Sequence, residues 1–526
     1  MSEDTRSRTS VVRRRAEGSH EQRGEVRPAR TRAAVPVRAG ALLAVLALVA
    51  PLVGCSDGPK ADPNEPRSAE NRREAPRRST RELKGAHVDV LVIVLDSLRA
   101  DRIGALGNTR GLTPNIDAFV ARAARPVAAF APSPHTAPSF ASLLTGMPPA
   151  AHGVRNVDDK GVWVLDTRRA TIFEIVQRAG FATVCVNEGG QVREESGFAR
   201  GVDHWIATAD LAASIDVLAR VLANAGDAQP MFCIVHTNAA HAPFVPPREA
   251  DGVAFRGRFT DDTRGGEFRA RAAALEAFTG PRRGKEFADL AQRFLDPFEG
   301  CSADDAAWLG DLYDENVAHV DHQVGRILAL WDEHRDPAQS IVVVTAGHGI
   351  ALGEDGAFGA VASLTDATTR VPWAILGADF APGVFDAGVC VTATAPTLLE
   401  ALDLTPPETM VPALGDELAA RGGLELIGGF EQQSLAGDEW AVALGREYGH
   451  VVGDPVAVAV QLFDLAQDPL RRVPVADEAR AAHLRGALER SRIVARGSES
   501  GAPARQVALD PKARQKLRVL GYLERP

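Results

Sequence analysis

Short apolar runs that alternate with helical patterns constrain the fold of this chain more than any other feature. The segment that begins at Val88, "VDVLVIVLD", is a near-continuous β-branched run, which is typical of a strand covered on both faces. Further strands are predicted at 181–187, 231–237, 340–347 and 371–377, and helices at 171–179, 208–224, 305–333 and 394–403. Alternation at this spacing predicts an α/β fold with a mostly parallel central sheet and helices on both faces.

Three other segments complete the expected organisation. The run "TPNIDAFVARAA" predicts a helix with Thr113 as its N-cap and Pro114 in its first turn. Residues 245–303 are polar, rich in Arg and Gly, and poorly periodic, so we expect a long insertion over the site. After the main body at 87–410, "EWAVALG", "DPVAVAVQLFDL" and an amphipathic helix at 477–496 predict a small C-terminal α+β subdomain over 411–526.

The N-terminus reads as a targeting segment. Arg-rich sequence precedes an apolar stretch from Ala39 to Val53, which is shorter than the roughly 20 residues of a spanning helix but suits a signal peptide. The stretch ends in "LVGC", which resembles the bacterial lipobox, in which the cysteine, here Cys55, is acylated. The alternative is an ordinary signal anchor with a chance cysteine. We expect a signal peptide over 1–54, a disordered tether over 55–86 and a lipoprotein anchored at the cell envelope, outside the cytoplasm.

Composition excludes two classes of function. The net charge is −10, so no basic face for nucleic acid is expected. The cysteines are far apart and form no CxxC pair, which disfavours a zinc knuckle or a dense disulfide framework. We expect the four that follow Cys55 to be structural, namely Cys185, Cys233, Cys301 and Cys390.

Polar side chains collect where the predicted strands end. Asp96 follows the first strand and is either a helix N-cap or a ligand for a hard metal. Thr136 stands just before a helix expected to begin near Pro138, where the helix dipole favours an oxyanion. His236 and His241 follow the strand at 231–237, and His348 follows the strand at 340–347. Because ligands gather at the carboxyl ends of parallel strands, these residues are candidates for one site.

These segments resemble the sulfatase family of the alkaline phosphatase superfamily. The resemblance rests on "VLDSLRADRIG", "TAPSFASLLTGMPPAAHGV", "HTNAAHAPFVPP", "VVVTAGHGIALGEDG", "TAPTLLEALDL", "LFDLAQDP" and "KLRVLGYL", which occur in the order typical of that family. It implies an alkaline-phosphatase-like α/β/α sandwich and a metal-dependent hydrolase or transferase of sulfate or phosphate esters. Its partner would be a small-molecule or polymer ester.

The resemblance also implies roles for individual residues. Asp96, Thr136 and His348 would hold a divalent cation, either calcium, zinc or manganese, and Thr136 would also be the nucleophile. His241 would be the general acid on the leaving group or a ligand of a second metal. Asn156 falls where some family members place an amide that binds the oxyanion.

Three positions depart from the family pattern. Thr136 replaces the usual Cys or Ser, so formylglycine cannot form, and threonine suits phosphoryl transfer better than sulfate release. Gly347 replaces a metal-ligating aspartate, for which Asp355 is a possible substitute, and glycine is expected to leave room for a new side chain there. Phe140 replaces an arginine, and Asp355 itself replaces a histidine.

Two hypotheses therefore remain open. One is a surface-tethered hydrolase or transferase of sulfate or phosphate esters that uses Thr136. The other is a catalytically degenerate member of the family that binds an anionic ligand or partner without turnover.

Overall fold

The fold is built around an eight-stranded sheet that places the predicted site at one edge. The computed structural model describes residues 87–517, with gaps at 158–160, 227–228, 280–284, 297, 299–300, 360–363, 412, 415–425, 431–438, 445–446, 453–460, 465–466, 468–472, 487–504, 512–513 and 515–516. The predicted signal peptide, Cys55 and the tether lie outside the described residues. In the part of the chain that the structure covers, no helix has the length and apolarity needed to cross a bilayer.

The elements follow one another in the alternating order that the sequence predicts. The strands are β1 Asp89–Leu95, β2 Ala124–Phe130, β3 Val162–Val164, β4 Ala182–Asn187, β5 His204–Ala207, β6 Met231–Thr237, β7 Glu249–Ala250, β8 Val253–Ala254, β9 Ser340–Thr345, β10 Ala351–Leu352, β11 Phe358–Gly359, β12 Trp373–Leu376, β13 Gly383–Cys390, β14 Leu426–Phe430, β15 Glu439–Leu444, β16 Glu447–Val452, β17 Gln461–Asp464 and β18 Arg505–Val507. The helices are α1 Pro114–Val120, α2 Thr136–Thr145, α3 Pro149–His152, α4 Ile172–Arg178, α5 Leu211–Asn224, α6 Gly266–Glu276, α7 Lys285–Arg293, α8 Ala303–His334, α9 Asp366–Thr369 and α10 Thr394–Ala401.

The central sheet confirms the predicted α/β class. Its strand order is β13-β2-β12-β9-β1-β6-β4-β5. All of its paired strands are parallel except β12, which runs antiparallel to both β2 and β9. Strand β1 lies between β9 and β6 and is buried along its whole length, which is why its sequence is apolar without alternation.

Three expectations need correction. The helix predicted from Thr113 ends at Val120, and β2 begins at Ala124. Thr113 is at the N-cap position, but its hydroxyl donates to Asp117 Oδ1 at 3.0 Å instead of capping a backbone N–H. Helix α2 begins at Thr136 and not near Pro138. The segment predicted as an insertion, 245–303, contains the β7–β8 hairpin and helices α6 and α7.

The long helix α8 connects the insertion to the site. Phe244 packs edge-on against Phe294 at 5.7 Å and against Tyr313 of α8 at 5.1 Å between ring centroids. The Tyr313 hydroxyl in turn donates to the carbonyl of Ser97 at 2.6 Å. The insertion also contacts α8 directly, because Trp308 Nε1 donates to the carbonyl of Asp261 at 2.9 Å.

The C-terminal region forms an antiparallel sheet of order β14-β15-β16-β17. The sequence predicted β15 and the segment that ends in β17, but not β14 or β16. A helix over 478–486 confirms the first part of the predicted amphipathic helix. The sequence did not predict that β18 returns to pair with β3 in the main body, where Gln506 lies opposite Trp163.

Candidate active site

The register of three adjacent strands brings the candidate residues together. Val94 of β1 lies opposite His236 of β6 on one side and opposite Thr345 of β9 on the other. Asp96 comes two residues after Val94, and His348 comes three residues after Thr345. Because the three strands are parallel, the residues that follow them emerge at the same edge of the sheet.

Thr136 and His348 form a buried hydroxyl–imidazole pair. Thr136 Oγ1 lies 3.1 Å from His348 Nε2. His348 Nδ1 is 2.7 Å from the carbonyl oxygen of Gly349, which can only accept, so Nδ1 carries a hydrogen. In the neutral ring Nε2 is then the atom that can accept the Thr136 proton. A hydroxyl next to an oriented imidazole is the arrangement of an activated nucleophile.

Asp96 lies near two imidazoles and is within hydrogen-bond distance of one of them. Its Oδ2 lies 3.0 Å from His236 Nε2 and 3.9 Å from His348 Nε2, and all three side chains are buried. Burial alone would raise the pKa of Asp96, but His236, His348 and the Thr136 hydroxyl outweigh it and lower that pKa to about 2. Asp96 is therefore ionised, and it is not the N-cap of the next helical turn, whose cap is Arg99.

His241 joins the same cluster. Its ring centroid lies 6.4 Å from that of His348, and its Nδ1 donates to the carbonyl of Ala242 at 2.7 Å. Burial, with a further contribution from His348, lowers the pKa of His241 to about 4. At neutral pH the ring is uncharged, so a general-acid role would require an additional proton that burial opposes, whereas Nε2 can act as a proton acceptor.

Two further histidines belong to the site, although the sequence did not give them roles. His135 precedes Thr136, and burial, with the nearby His348, lowers its pKa to about 3. His236 donates to Asp96, which makes it the third strand-end histidine of the cluster. The sequence shows that His236 lies near the end of a predicted strand. That this strand, β6, lies next to β1 is known only from the strand order of the structure.

For two predicted site residues, the described part of the structure gives no contact with the cluster. Asn156 lies in the segment between α3 and β3, and its Oδ1 is buried without a hydrogen-bond partner among the described residues. Asp355 lies in the short 3₁₀ helix Glu354–Gly356, and its side chain is outside the described part of the structure. Their roles in binding the oxyanion and the metal stay predictions.

Arg99 joins the loops that carry Asp96 and His348. Its guanidinium donates to the carbonyl of Ile350 at 3.1 Å and to Glu354 Oε1 at 2.6 Å, and its backbone N–H donates to the Tyr313 hydroxyl at 3.1 Å. Ser97, next to Asp96, has a φ of 66°, which is unusual for a residue other than glycine. The turn after β1 is thus fixed by buried contacts that cross more than 200 residues of sequence.

The donor atoms of the cluster do not fit a hard divalent cation. Calcium takes six to eight oxygen ligands, but Asp96 and Thr136 are the oxygen donors in contact here, and the others are imidazole nitrogens. A Cβ added at Gly347 would overlap Asp96 Oδ1, so the space for a second carboxylate is filled. Among the described residues, no group of three or more His, Cys, Asp or Glu side chains is arranged to hold a metal. This donor set therefore disfavours calcium and other hard cations. Zinc, which takes imidazole and carboxylate ligands, stays a prediction.

Comparison with known proteins identifies the family. A family model described as "Sulfatase" matches residues 89–404, which is more than half of the 526 residues. The chain belongs to the sulfatase family. This places it in the alkaline phosphatase superfamily, and the family match spans the described strands β1 to β13, Asp96 and His348.

One curated protein is similar to this chain over a short segment. An arylsulfatase from Clostridium perfringens is 30% identical over 100 residues, which is 19% of this chain and 20% of that protein. The matched part therefore spans about one fifth of that curated relative.

Solved structures show the same sulfatase-type fold. A phosphonate monoester hydrolase of Agrobacterium radiobacter has a TM-score of 0.56 and 19% identity over 80% of this chain and 100% of its own. A protein called BT4656, solved with its substrate D-glucosamine-2-N,6-O-disulfate, has a TM-score of 0.58 and 17% identity over 79% of this chain and 100% of its own. At these identities the likeness establishes the fold alone.

One cavity lies away from the buried cluster around Thr136. A cavity of about 630 Å³ opens beside the first residues of β4, β5 and β6, among them Ala182, His204 and Met231. None of the clustered histidines lines it, because they lie at the carboxyl ends of the strands. This cavity is therefore not part of the candidate active site.

Proposed function

We propose that this protein hydrolyses, or transfers the acid group of, phosphate-type or sulfate esters through a covalent intermediate on Thr136. The observation that carries the proposal is the 3.1 Å contact between Thr136 Oγ1 and His348 Nε2, with His348 fixed through Nδ1 to Gly349. Membership of the sulfatase family supports ester chemistry of this general class.

In the first step Thr136 Oγ1 bonds to the phosphorus or sulfur atom while the bond to the leaving oxygen breaks. His348 Nε2 accepts the threonine proton, and the leaving oxygen takes a proton from solvent. Thr136 is the first residue of α2, whose N-cap residue makes no side-chain cap. The positive end of that helix is therefore available to stabilise the negative charge of the transferring group.

In the second step a water or an acceptor alcohol attacks the Thr136 ester, and Thr136 Oγ1 leaves with the proton returned by His348. The neutral His241 supports this step, since its Nδ1 is committed to Ala242 and its Nε2 can accept a proton from the attacking water. Attack by an alcohol instead of water gives transfer rather than hydrolysis.

Phosphate, phosphodiester and phosphonate esters are the favoured substrates within this class. A formylglycine hydrate releases sulfate by eliminating through its second hydroxyl, which threonine lacks. A threonine phosphoester, in contrast, is resolved by direct attack at phosphorus. The similarity to a phosphonate monoester hydrolase of the same fold is consistent with this preference.

The burial of the nucleophile favours one alternative. The Thr136 side chain is 1% exposed, so a substrate must first open a path to it. A catalytically degenerate protein that binds an anionic ligand would also retain the fold while losing the aspartate at position 347. Binding of an ester without turnover, at equal affinity in wild type and in a Thr136→Val variant, would favour this reading.

The test is a screen of aryl phosphate, phosphodiester, phosphonate and sulfate esters against the wild type and two valine variants. Thr136→Val removes the proposed nucleophile. Thr145→Val is the matched control, because Thr145 lies on the same helix, is equally buried and donates only to the Ala141 carbonyl at 2.7 Å among its described contacts. Turnover that is lost in the first variant and kept in the second supports the proposal.

A further inference from the structure

His236 orients Asp96 from the neighbouring strand. The ring is fully buried, and its Nε2 lies 3.0 Å from Asp96 Oδ2. A carboxylate can only accept, so Nε2 is the donor. The other ring nitrogen, Nδ1, is buried and has no hydrogen-bond partner among the described residues. The Nε2 contact is therefore the polar interaction that this histidine makes in the described structure.

Phe140 fixes the ring of His236. The two rings meet edge-on, with centroids 5.3 Å apart and an interplanar angle of 72°. Phe140 also packs edge-on against Phe198 at 5.4 Å. A buried aromatic wall thus replaces the arginine expected at position 140 and leaves the His236 ring little freedom to turn away from Asp96.

Gly347 completes this arrangement from the other side. An ideal Cβ at position 347 would overlap Asp96 Oδ1, and the backbone of Gly347 is not in the left-handed region that favours glycine. What glycine provides here is space and not an unusual φ. The Asp96 carboxylate lies in that space, with His236 donating to its other oxygen.

We propose that His236 is a positioning residue for Asp96, and that the Asp96–His236 pair organises this site in place of a hard divalent cation. A hard cation would need further oxygen ligands, while His236 directs a hydrogen at Oδ2 of the Asp96 carboxylate. Phe140 and Gly347 both depart from the family pattern, and both adjoin the Asp96–His236 pair, Phe140 through the His236 ring and Gly347 through Asp96. The inference deepens the proposed function, but its test needs no turnover, so either can fail without the other.

The first test measures metal in the purified full-length protein by inductively coupled plasma mass spectrometry, together with the melting temperature. We expect far less than one equivalent of calcium, magnesium or manganese per chain. We also expect the same melting temperature in the untreated protein as with added calcium, magnesium or manganese. A bound cation would instead raise the melting temperature with concentration. About one equivalent of one of these three metals, or a rise of several degrees on adding one of them, would overturn the proposal.

The second test separates the hydrogen bond from simple packing. His236→Gln keeps an amide N–H that can reach Asp96, whereas His236→Leu fills the space without a donor. We expect the melting temperature of the leucine variant to fall by several degrees and the glutamine variant to recover most of that loss. Equal losses in both variants, or a metal ion that wild type holds and His236→Leu releases, would contradict the positioning role.

Discussion

Asp96 occupies the space beside Gly347. Its Oδ1 lies where an ideal Cβ at position 347 would be placed, and its Oδ2 accepts a hydrogen bond from His236. The sequence suggested that glycine leaves this position open for an added carboxylate. The structure corrects that expectation, because the room is already taken by a neighbour that the sequence places more than 200 residues away.

An aspartate at position 347 should therefore destabilise the protein. Gly347→Asp must displace Asp96 from its hydrogen bond with His236, and overpacking of a filled core site costs about 1–3 kcal/mol. Urea denaturation of the variant measures the change. Gly347→Ala is the matched control, since it adds the same Cβ without a charge and should account for most of the loss. A Gly347→Asp protein as stable as wild type would show that Asp96 moves freely.

The protein should unfold in acid at a higher pH than a domain of this size without buried neutral histidines. The pKa of His241 is lowered to about 4, and those of His135 and His152 to about 3, in each case first by burial. In the unfolded chain these rings bind protons near pH 6.5. The contribution of these neutral rings to the free energy of unfolding is therefore present above pH 6.5 and is lost as the pH falls towards 4. The loss is about 2 kcal/mol per histidine between pH 7 and 5.

Chemical denaturation at pH 7 and pH 5 measures this loss. His152→Gln removes one titrating ring that contacts Ser142 and not the cluster, so it should reduce the difference between the two pH values. Equal stability at both pH values would contradict the burial of neutral histidines.

The thiols should differ in reactivity. Burial raises the pKa of Cys233 to about 12 and that of Cys390 to about 11, and it raises the pKa of Cys185 further. Cys301 is only half-buried. In the folded protein lacking Cys55, a thiol reagent at pH 8 should label Cys301 first and the buried three only on denaturation. Rapid labelling of a buried cysteine, located by peptide mapping, would show that its strand opens.

Membrane attachment should depend on Cys55. The lipobox predicts that Cys55→Ala leaves the precursor uncleaved or releases the protein to the soluble fraction. Membrane fractionation with metabolic labelling by a palmitate analogue measures both effects. Unchanged fractionation and labelling would favour the ordinary signal anchor. Cys301→Ala serves as the control for an unrelated thiol.

The sequence predicted the elements better than their arrangement. Local periodicity identified β1, β4, β6, β9 and α8 nearly to the residue, because a buried strand or a long amphipathic helix imposes its own pattern. The strand β2 was missed, since Arg125 and Pro126 interrupt its apolar run.

The site shows the same division between local and non-local information. Its histidines were visible as residues at strand ends, and Thr136 was visible at a helix start. The pairing of His236 with Asp96, the neutral state of His241 and the filling of the space beside Gly347 arise from strand order and burial. No local sequence pattern encodes those properties. The sequence alone could therefore not show whether the clustered side chains suit a metal ion.

The proposed activity depends on the hydroxyl group of Thr136. Thr136→Val should lose roughly 10²–10⁴-fold or more in rate, the scale of a lost catalytic group, while Thr145→Val keeps its activity. Thr136→Ser, which retains a hydroxyl, should retain part of the rate.

Rapid quenching of the wild-type protein in acid, milliseconds after mixing with an activated aryl phosphate, tests this role most directly. Peptide mass spectrometry of the quenched sample then locates any added phosphoryl group. We expect one phosphoryl group on the peptide that contains Thr136, absent from Thr136→Val and present in Thr145→Val. Turnover by the wild type with no adduct on Thr136, or an adduct on another residue, would contradict it.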